Sequence, residues 1–590
     1  MCGIIAIKTT NKEALNSIDI KAGLEALALR GPDASKHMQI DNVLLGHTRL
    51  SIIDLSSGGQ PMTTSDGAYT IVFNGEIYNY KILREKLQKS GAIFKTHSDT
   101  EVILQAYIAY DKDCVKELDG MFAFVIYDKT KNRLFVARDR FGKKPLYYTK
   151  DKDDNFYFAS EIKALHALGF KGVINKEALD AYLSLMYVPP HMTIYSNIKT
   201  IPPAHFAIVD ENGIRREKYW HLIKAQNTDT YDEAKQKIKT LFKDAVTTRM
   251  LSSDVEVGSL LSGGVDSSLV SIYASRILSK PLKTFSLSYG DTINELPYAL
   301  KVSEKIRSDH HTLSVNDSLL SELRKTFEYL DEPHGDSSDV SQYLISNLAH
   351  KSVKVALTGD GADEFFLGYG WYWKHLQLPF FKRITARLFS DPFKDHLKLI
   401  EIFSQKERSE LLAYNAKPIF VPEEVRDSGL NSEDKMNLWD ILVYLPGQLL
   451  TKIDRTSMAN SLEVRSPFLD TKLAEYVYSL PASYKLDGKN NNGKIILKDI
   501  LTEEMDPDFV YRRKQGFGAP VKTWLHLSEI KTFLVALSKN KEHQIFSYIS
   551  QKETQHLTHC YYNGEEKLAY RVWLILCLAI WFETHKADIE

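Results

Sequence analysis

Short apolar stretches with β-branched and aromatic alternation, separated by turn residues, dominate the first 200 residues. NVLLGHTRLSII, AYTIVFNG, FAFVIYD and RLFVARD each read as strands. Between them, YNYKILREKLQKSG and DTEVILQAYIAY change to helical spacing. The pattern predicts stacked sheets with flanking helices, an α+β layered domain. Around 203–235 the composition turns polar, and the boundary falls there: a domain over 2–210, a linker over 211–235 and a second domain over 236–590. No internal repeat or low-complexity tract is visible. In the second half DVEVGSLL reads as a strand, SGGVDSS as a loop, and LVSIYASRIL as a helix with Leu269, Ile272, Tyr273 and Ile277 on one face. LKTFSLSY and SVKVALTG add strands, and strand–loop–helix repetition predicts a parallel sheet covered by helices, an α/β domain. Beyond about residue 370 the signal is mostly helical. The longest apolar run, VWLILCLAIWF (572–582), is 11 residues long. A bilayer span needs roughly 18–20, so the run reads as a buried helix.

Composition narrows the function. A chain of 590 residues exceeds one core. Lys plus Arg number 75 against 76 Asp plus Glu, so no net field draws in nucleic acid or anionic membrane. The densest basic cluster, Arg512, Arg513 and Lys514, is short and reads as a local anion contact or a solvated turn. Four cysteines, at 2, 114, 560 and 577, form no CxxC pair or metal-ligand spacing, which fits a reducing cytoplasm better than a disulfide framework. The start carries no signal-peptide pattern.

Three places carry candidate chemistry. Cys2 directly follows the initiator methionine in MCGIIAI. It either opens a buried strand or, once Met1 is removed, joins a thiol to a free α-amine of pKa about 7.7–8.0, nucleophile and base in one residue. Ser262-Gly263-Gly264-Val265-Asp266-Ser267-Ser268 sits between a strand and a helix. Its glycines allow close backbone approach, and the helix N-terminus offers unpaired N–H groups to an anion. It lacks the GK[ST] of a γ-phosphate loop, and an aspartate inside an anion cradle points to Mg²⁺ bridging to phosphates. SGGxDS marks the pyrophosphate-loop ATPases, which cleave ATP between the α and β phosphates. Thr358-Gly359-Asp360-Gly361-Ala362-Asp363-Glu364 follows another strand. Loops at the carboxyl ends of parallel strands gather on one edge, so Asp266 and Asp363 are candidate ligands of one magnesium, with Asp360 near the reacting acyl and phosphoryl groups.

Together these motifs make the chain resemble the glutamine-hydrolysing asparagine synthetases of the bacterial B type over nearly its whole length. MCGI, RGPD (30–33), GHTRLSIIDL (46–55), FNGEIYN (73–79), SDTEV (98–102) and RDRFGKKPLYY (138–148) resemble the glutaminase domain, of the N-terminal-nucleophile type. SGGVDSS, LDEP (330–333), TGDGADE, KIDRTSMANSLEVRSPFLD (452–470) and KQGFGAP (514–520) resemble the ATP-pyrophosphatase domain. The resemblance decides for Cys2 as nucleophile. It implies an oxyanion hole from the Asn74 side chain and the Gly75 N–H. Arg49 is implied on the glutamine α-carboxylate, Glu76 and Asp99 on its α-ammonium, and Leu50 and Ile53 beside them. For ATP it implies Ser262, Gly263, Gly264, Asp266 and Ser267 around pyrophosphate, Leu261, Leu287, Thr358 and Gly359 framing the nucleotide, and Lys452 against the phosphates. Asp360 matches the acidic residue tied to the β-aspartyl-adenylate. The implied substrates are glutamine, aspartate and ATP with Mg²⁺, in a cytoplasmic homodimer, with a shielded passage carrying ammonia between the sites.

Two positions depart from the family. Leu29 stands where HRGPD has its histidine, and Leu367 stands in FLGY where glycine is common. The acceptor pocket is the least legible part, so a sugar acid or a cell-wall amino acid is the alternative acceptor for the same machinery. A non-catalytic protein on this scaffold is disfavoured because Cys2 and Asp266 are both present.

Overall fold

The structure is a computed structural model that describes residues 1–288, 295–314, 318–372, 392–488, 490–512 and 520–589. Two six-stranded antiparallel sheets form the front of the molecule. The first runs β10 (Lys199–Thr200), β8 (Tyr147–Lys150), β9 (Phe156–Ala159), β1 (Gly3–Lys8), β3 (Val43–Arg49), β2 (Ala34–Ile40). The second runs β12 (Gly213–Lys218), β11 (His205–Asp210), β7 (Arg133–Arg138), β6 (Gly120–Asp128), β5 (Tyr69–Ile77), β4 (Met62–Thr63). Their inner faces interdigitate: Ile4, Ala6 and Leu45 of one meet Val72, Val125 and Val136 of the other. On the outer faces, Ile5 and Ile7 pack with Leu24 and Leu165, while Phe73 and Phe124 pack with Val102 and Ile103 of the helix Asp99–Tyr110. The result is the layered helix–sheet–sheet–helix architecture expected. Burial on both faces explains why β1 is apolar from Gly3 to Ile7 and alternates weakly.

The front sheet runs past residue 210. Residues 213–218, inside the stretch expected as linker, pair with β11 from His205↔Lys218 to Asp210↔Gly213. The strand GIRREK is polar because it is a sheet edge, where charged side chains keep the unpaired backbone from other chains. The helix Tyr231–Leu251 also starts inside that stretch, closed by a Thr230/Glu233 capping box.

The second half holds a wholly parallel five-stranded sheet: β15 (Asp309–Ser314), β14 (Lys283–Ser288), β13 (Val257–Leu260), β16 (Val355–Leu357), β17 (Glu463–Arg465). Strand order reverses between β13 and β16, the place where such sheets open a crevice at their carboxyl ends. The loops leaving β13 and β16 are SGGVDSS and TGDGADE. The last third is mostly helical, as expected, but SLEVR supplies β17 and completes the sheet. The run 572–582 lies in the buried helix Ala569–Thr584, and no helix among the described residues is long and apolar enough to cross a membrane.

Candidate active sites

The first site forms where the two front sheets meet ahead of β1. The Cys2 N–H donates to Asn74 Oδ1 at 3.1 Å, linking the start of one sheet to the middle of β5 in the other. Asn74 Nδ2 is buried and has no hydrogen-bond partner. Phe73, the residue before it, is held on both backbone groups. Its N–H donates to Gln60 Oε1 at 2.7 Å, and its carbonyl accepts from His47 Nε2 at 3.2 Å. Burial drives the His47 pKa down to about 3, so the ring is neutral and can donate there. At Gly75 a Cβ would stand 2.0 Å from the Met121 carbonyl oxygen, so only glycine lets β5 lie this close to β6. Burial pushes the Cys2 thiol pKa up; the positive amino terminus, the Leu50 backbone and Arg49 pull it back.

Cys2, Arg49, Leu50, Ile53, Gly75, Glu76 and Asp99 line one pocket, together with Gln60, Ser98 and Glu463. Arg49 donates to the carbonyls of Ile53 at 3.1 Å and Asp54 at 2.7 Å, bracing the turn that forms the pocket lip, and makes no ion pair among the described residues. Asp99 accepts from the Ile77 N–H at 3.0 Å, and burial pushes its pKa up to about 6. Glu76, expected only to face an ammonium, is paired with Arg465 at 3.1 Å, while its other oxygen, Oε1, is buried without a partner. Burial and then Asp99 hold the Glu76 carboxyl well above the usual range. Two crowded carboxyls, one with a free oxygen, are suited to an entering ammonium group.

Sequence reasoning missed the groups that β17 delivers. Glu463 Oε2 lies 3.3 Å from the Met1 α-nitrogen, and Glu463 Oε1 accepts from Arg465 Nε at 2.7 Å. The front pocket therefore has a wall made by the second half. Further buried contacts join the halves: Arg30 reaches Asp454 at 2.8 Å while donating to the Cys2 carbonyl at 3.0 Å, and Lys144 reaches Asp454 at 3.1 Å. Met1 also walls a second cavity, lined by Met121, Lys143, Lys144, Leu450, Ile453, Asp454 and Ser466 between the halves. Leu29 does not line the glutamine pocket; it is 44% exposed, and its carbonyl accepts from Ser461 Oγ at 2.6 Å.

The second site gathers at the carboxyl edge of the parallel sheet. In the SGGVDSS loop, Ser262 Oγ and Ser267 Oγ lie 3.0 Å apart, and the Gly264 N–H donates to Ser262 Oγ at 3.3 Å. Gly263 has φ +76°, and a Cβ there would stand 2.5 Å from the Ala299 nitrogen. Leu261 is tied across to β14 through the Phe285 carbonyl at 2.8 Å, and Leu287 lies near the end of that strand. Gly359 packs on Asp266, where a Cβ would come within 2.7 Å, so the two loops touch. Asp266 and Asp363 converge on one ammonium: Lys494 Nζ is 2.5 Å from Asp266 Oδ2 and 2.8 Å from Asp363 Oδ1. Asp266 Oδ1 is buried without a partner. A cation already bridges the two carboxylates, and their hard oxygen donors suit a magnesium ion. Lys494 is a further residue the sequence did not announce.

Thr358 Oγ1 contacts Ser466 Oγ at 3.3 Å, and burial pushes the Asp360 pKa up, opposed by the Thr358 hydroxyl and the Lys452 charge. Lys452, expected against the phosphates, gives its ammonium to Asp336 Oδ2 and Ser338 Oγ, each at 2.8 Å, acceptors that satisfy it in a buried setting. Leu367 holds φ +56° while buried, a left-handed conformation that favours glycine, the residue the resemblance led one to expect there. Arg512 stacks on Tyr298 at 3.9 Å and donates to the Gly263 carbonyl; Arg513, Lys514 and most of KQGFGAP lie outside the described residues.

Residues 1–220 match a family described as a glutamine amidotransferase domain, and residues 237–583 match one described as asparagine synthase. The chain is 32% identical to asparagine synthetase [glutamine-hydrolyzing] 1 of Bacillus subtilis, covering 100% of this chain and 97% of that one. It is also 32% identical to asparagine synthetase [glutamine-hydrolyzing] 3 of the same organism, covering 100% of both. A putative asparagine synthetase [glutamine-hydrolyzing] 2 of Methanocaldococcus jannaschii is 34% identical over 78% of this chain and 98% of its own.

Proposed function

The chain belongs to the asparagine synthase family, with a glutamine amidotransferase domain at its front, and from that premise we propose how its residues divide the work of a glutamine-hydrolysing asparagine synthetase. The enzyme takes ammonia from glutamine and uses ATP to amidate aspartate, giving asparagine, glutamate, AMP and pyrophosphate. The observation that carries the assignment of the first site is Asn74: its oxygen accepts from the Cys2 nitrogen, and its amide nitrogen is buried without a hydrogen-bond partner.

Once Met1 is removed, the Cys2 α-amine takes the thiol proton as sulfur attacks the side-chain amide carbon of glutamine. The oxygen that becomes negative is met by Asn74 Nδ2 and the Gly75 N–H. The same amine returns the proton to the departing nitrogen, ammonia leaves, and water hydrolyses the glutamyl thioester to glutamate. Arg49 holds the glutamine α-carboxylate from the lip of the pocket, and Asp99 with Glu76 holds the α-ammonium. This double clamp rejects simple amides.

In the second site the aspartate side-chain carboxylate attacks the α-phosphorus of ATP, and pyrophosphate leaves. The serines and glycines of 262–267 hold the pyrophosphate part, while Leu261, Leu287, Thr358 and Gly359 frame the rest. Asp266 and Asp363 would hold magnesium, which when bound supplies positive charge to the phosphates. Lys494, which bridges those two carboxylates, would then be free to face that same negative charge. Asp360 orients the acceptor or takes a proton when ammonia displaces AMP. Lys452 fixes Asp336 and lends its charge to Asp360. Ammonia reaches this site from the first, and the cavity walled by Met1, Lys144 and Ser466 is the start of its route. Burial lowers the Lys143 pKa to about 7, so this wall carries less positive charge than an ordinary lysine would give it.

Pyrophosphate release with glutamine, ATP, Mg²⁺ and a panel of carboxylates tests the acceptor. Aspartate is expected to be the efficient acceptor; release that requires a sugar acid or a cell-wall amino acid instead would leave the amidotransferase mechanism standing and replace the substrate.

A further inference from the structure

We propose that Glu463, presented by the second half of the chain, is a positioning residue for glutamine hydrolysis: its carboxylate takes the α-ammonium of Cys2 once Met1 is gone, directs it toward the thiol, and sets the pH at which it becomes a base. This rests on the glutaminase reading of Cys2. Glu463 Oε2 is already 3.3 Å from the chain's first nitrogen, with the Met1 and Glu463 side chains 0% and 1% exposed. Successive backbone nitrogens are at most about 3.6 Å apart, so the nitrogen that becomes the mature terminus lies within about 7 Å of that carboxylate. Removing Met1 takes away the amino-terminal cation at Glu463 Oε2. It leaves Oε2 of a buried carboxylate, whose Oε1 Arg465 still holds, opposite a new ammonium group, and the pair closes because a buried ammonium without a carboxylate is costly.

The other charged groups near the terminus cannot replace it. From β3, Arg49 is engaged by backbone carbonyls and His47 is neutral; from β5, Glu76 is paired with Arg465; from the helix Asp99–Tyr110, Asp99 accepts from Ile77. Lys144 faces the terminus but is bonded to Asp454. Arg465 holds the other Glu463 oxygen and fixes the direction of the carboxylate. Burial lowers the pKa of an amino terminus here, and Glu463 is the largest influence raising it. A base that lost its proton at too low a pH would be too weak to take one from the thiol.

The test uses the full-length, methionine-processed enzyme and its E463Q variant, with Met1 removal verified by mass spectrometry. Glutamate formation is followed from pH 5.5 to 9 without ATP. Loss of the carboxylate should move the acid limb of kcat/KM to lower pH by about one unit, and E463D should restore it. An acid limb at the same pH in E463Q, with activity lower throughout, would overturn the proposal and leave Glu463 a packing residue. If E463Q does not fold, cyanate labelling of the processed C2S chain measures the amine directly. A pKa at or above about 7.7–8.0 supports the pairing, and one well below that range overturns it. Absence of glutamate formation by the unmutated enzyme at every pH would overturn the glutaminase reading itself.

Discussion

Replacing Asn74 separates the two jobs this side chain performs. Its oxygen receives the Cys2 N–H at 3.1 Å, and its Nδ2 is buried with no partner, so the donor is already stripped of water before glutamine arrives. Gln60 and His47 pin the backbone of Phe73 from both sides, so the amide need not reorganise as charge develops. A pre-aimed donor of this kind is worth about 10²–10³ in kcat, or about 2.7–4 kcal/mol. N74A should therefore lower kcat for glutamine hydrolysis by about 10²–10³ and change the glutamine KM much less, since the donor meets charge that exists only in the transition state. N74D keeps an acceptor for the Cys2 nitrogen, removes the donor and sets a negative group beside the developing oxyanion, so its loss should be at least as large. Ammonia-dependent pyrophosphate release checks that the second site of each variant is folded. Hydrolysis by N74A within about threefold of the parent, or a loss confined to KM, would refute the oxyanion assignment.

Three further outcomes are expected. D266N should lose at least about 100-fold in Mg²⁺-dependent pyrophosphate formation while still hydrolysing glutamine, because a neutral amide is a poor ligand for a hard cation; pyrophosphate formation at the parent rate would remove Asp266 from the metal site. Asp99 has its pKa raised to about 6, so its carboxyl becomes increasingly neutral as pH falls through that value, and the glutamine KM should rise below about pH 6. The same shift means that the charged form of Asp99 costs folding stability, so its own contribution favours the fold at low pH and is lost as pH rises through about 6, until bound glutamine offsets it. A glutamine KM flat from pH 5 to 8 would take Asp99 out of the clamp. R49K should raise the glutamine KM roughly tenfold, the loss of about one charge-assisted hydrogen bond, since an ammonium cannot both brace the 53–55 turn and grip a carboxylate; an unchanged KM makes Arg49 a scaffold residue only.

The parts of this molecule legible in the sequence are those whose signal is local. SGGVDSS announces itself because its glycines, serines and aspartate fall between a recognisable strand and a recognisable helix, and the layered front follows from apolar alternation. What escaped depends on distance or brevity. β17 is three residues long within a helical stretch, so no periodicity marks it, and its value lies in bringing Glu463 and Arg465 to a pocket built from the first hundred residues. Lys494, in NNNGKIILKD, looks like any surface lysine until the fold places it between Asp266 and Asp363. The strand Gly213–Lys218 resembles a linker because an edge strand protects itself with the same charged residues that a linker carries.

The most direct measurement of the central claim, that two sites in one chain pass nitrogen from glutamine to aspartate, is the fate of a labelled amide. The processed enzyme is given aspartate, ATP, Mg²⁺ and [amide-¹⁵N]glutamine in the presence of excess unlabelled ammonium, and the asparagine is read by mass spectrometry. Asparagine whose amide nitrogen is mostly ¹⁵N, formed one for one with pyrophosphate, is the expected result; no asparagine, or an amide nitrogen that simply mirrors the bulk ammonium, would contradict it.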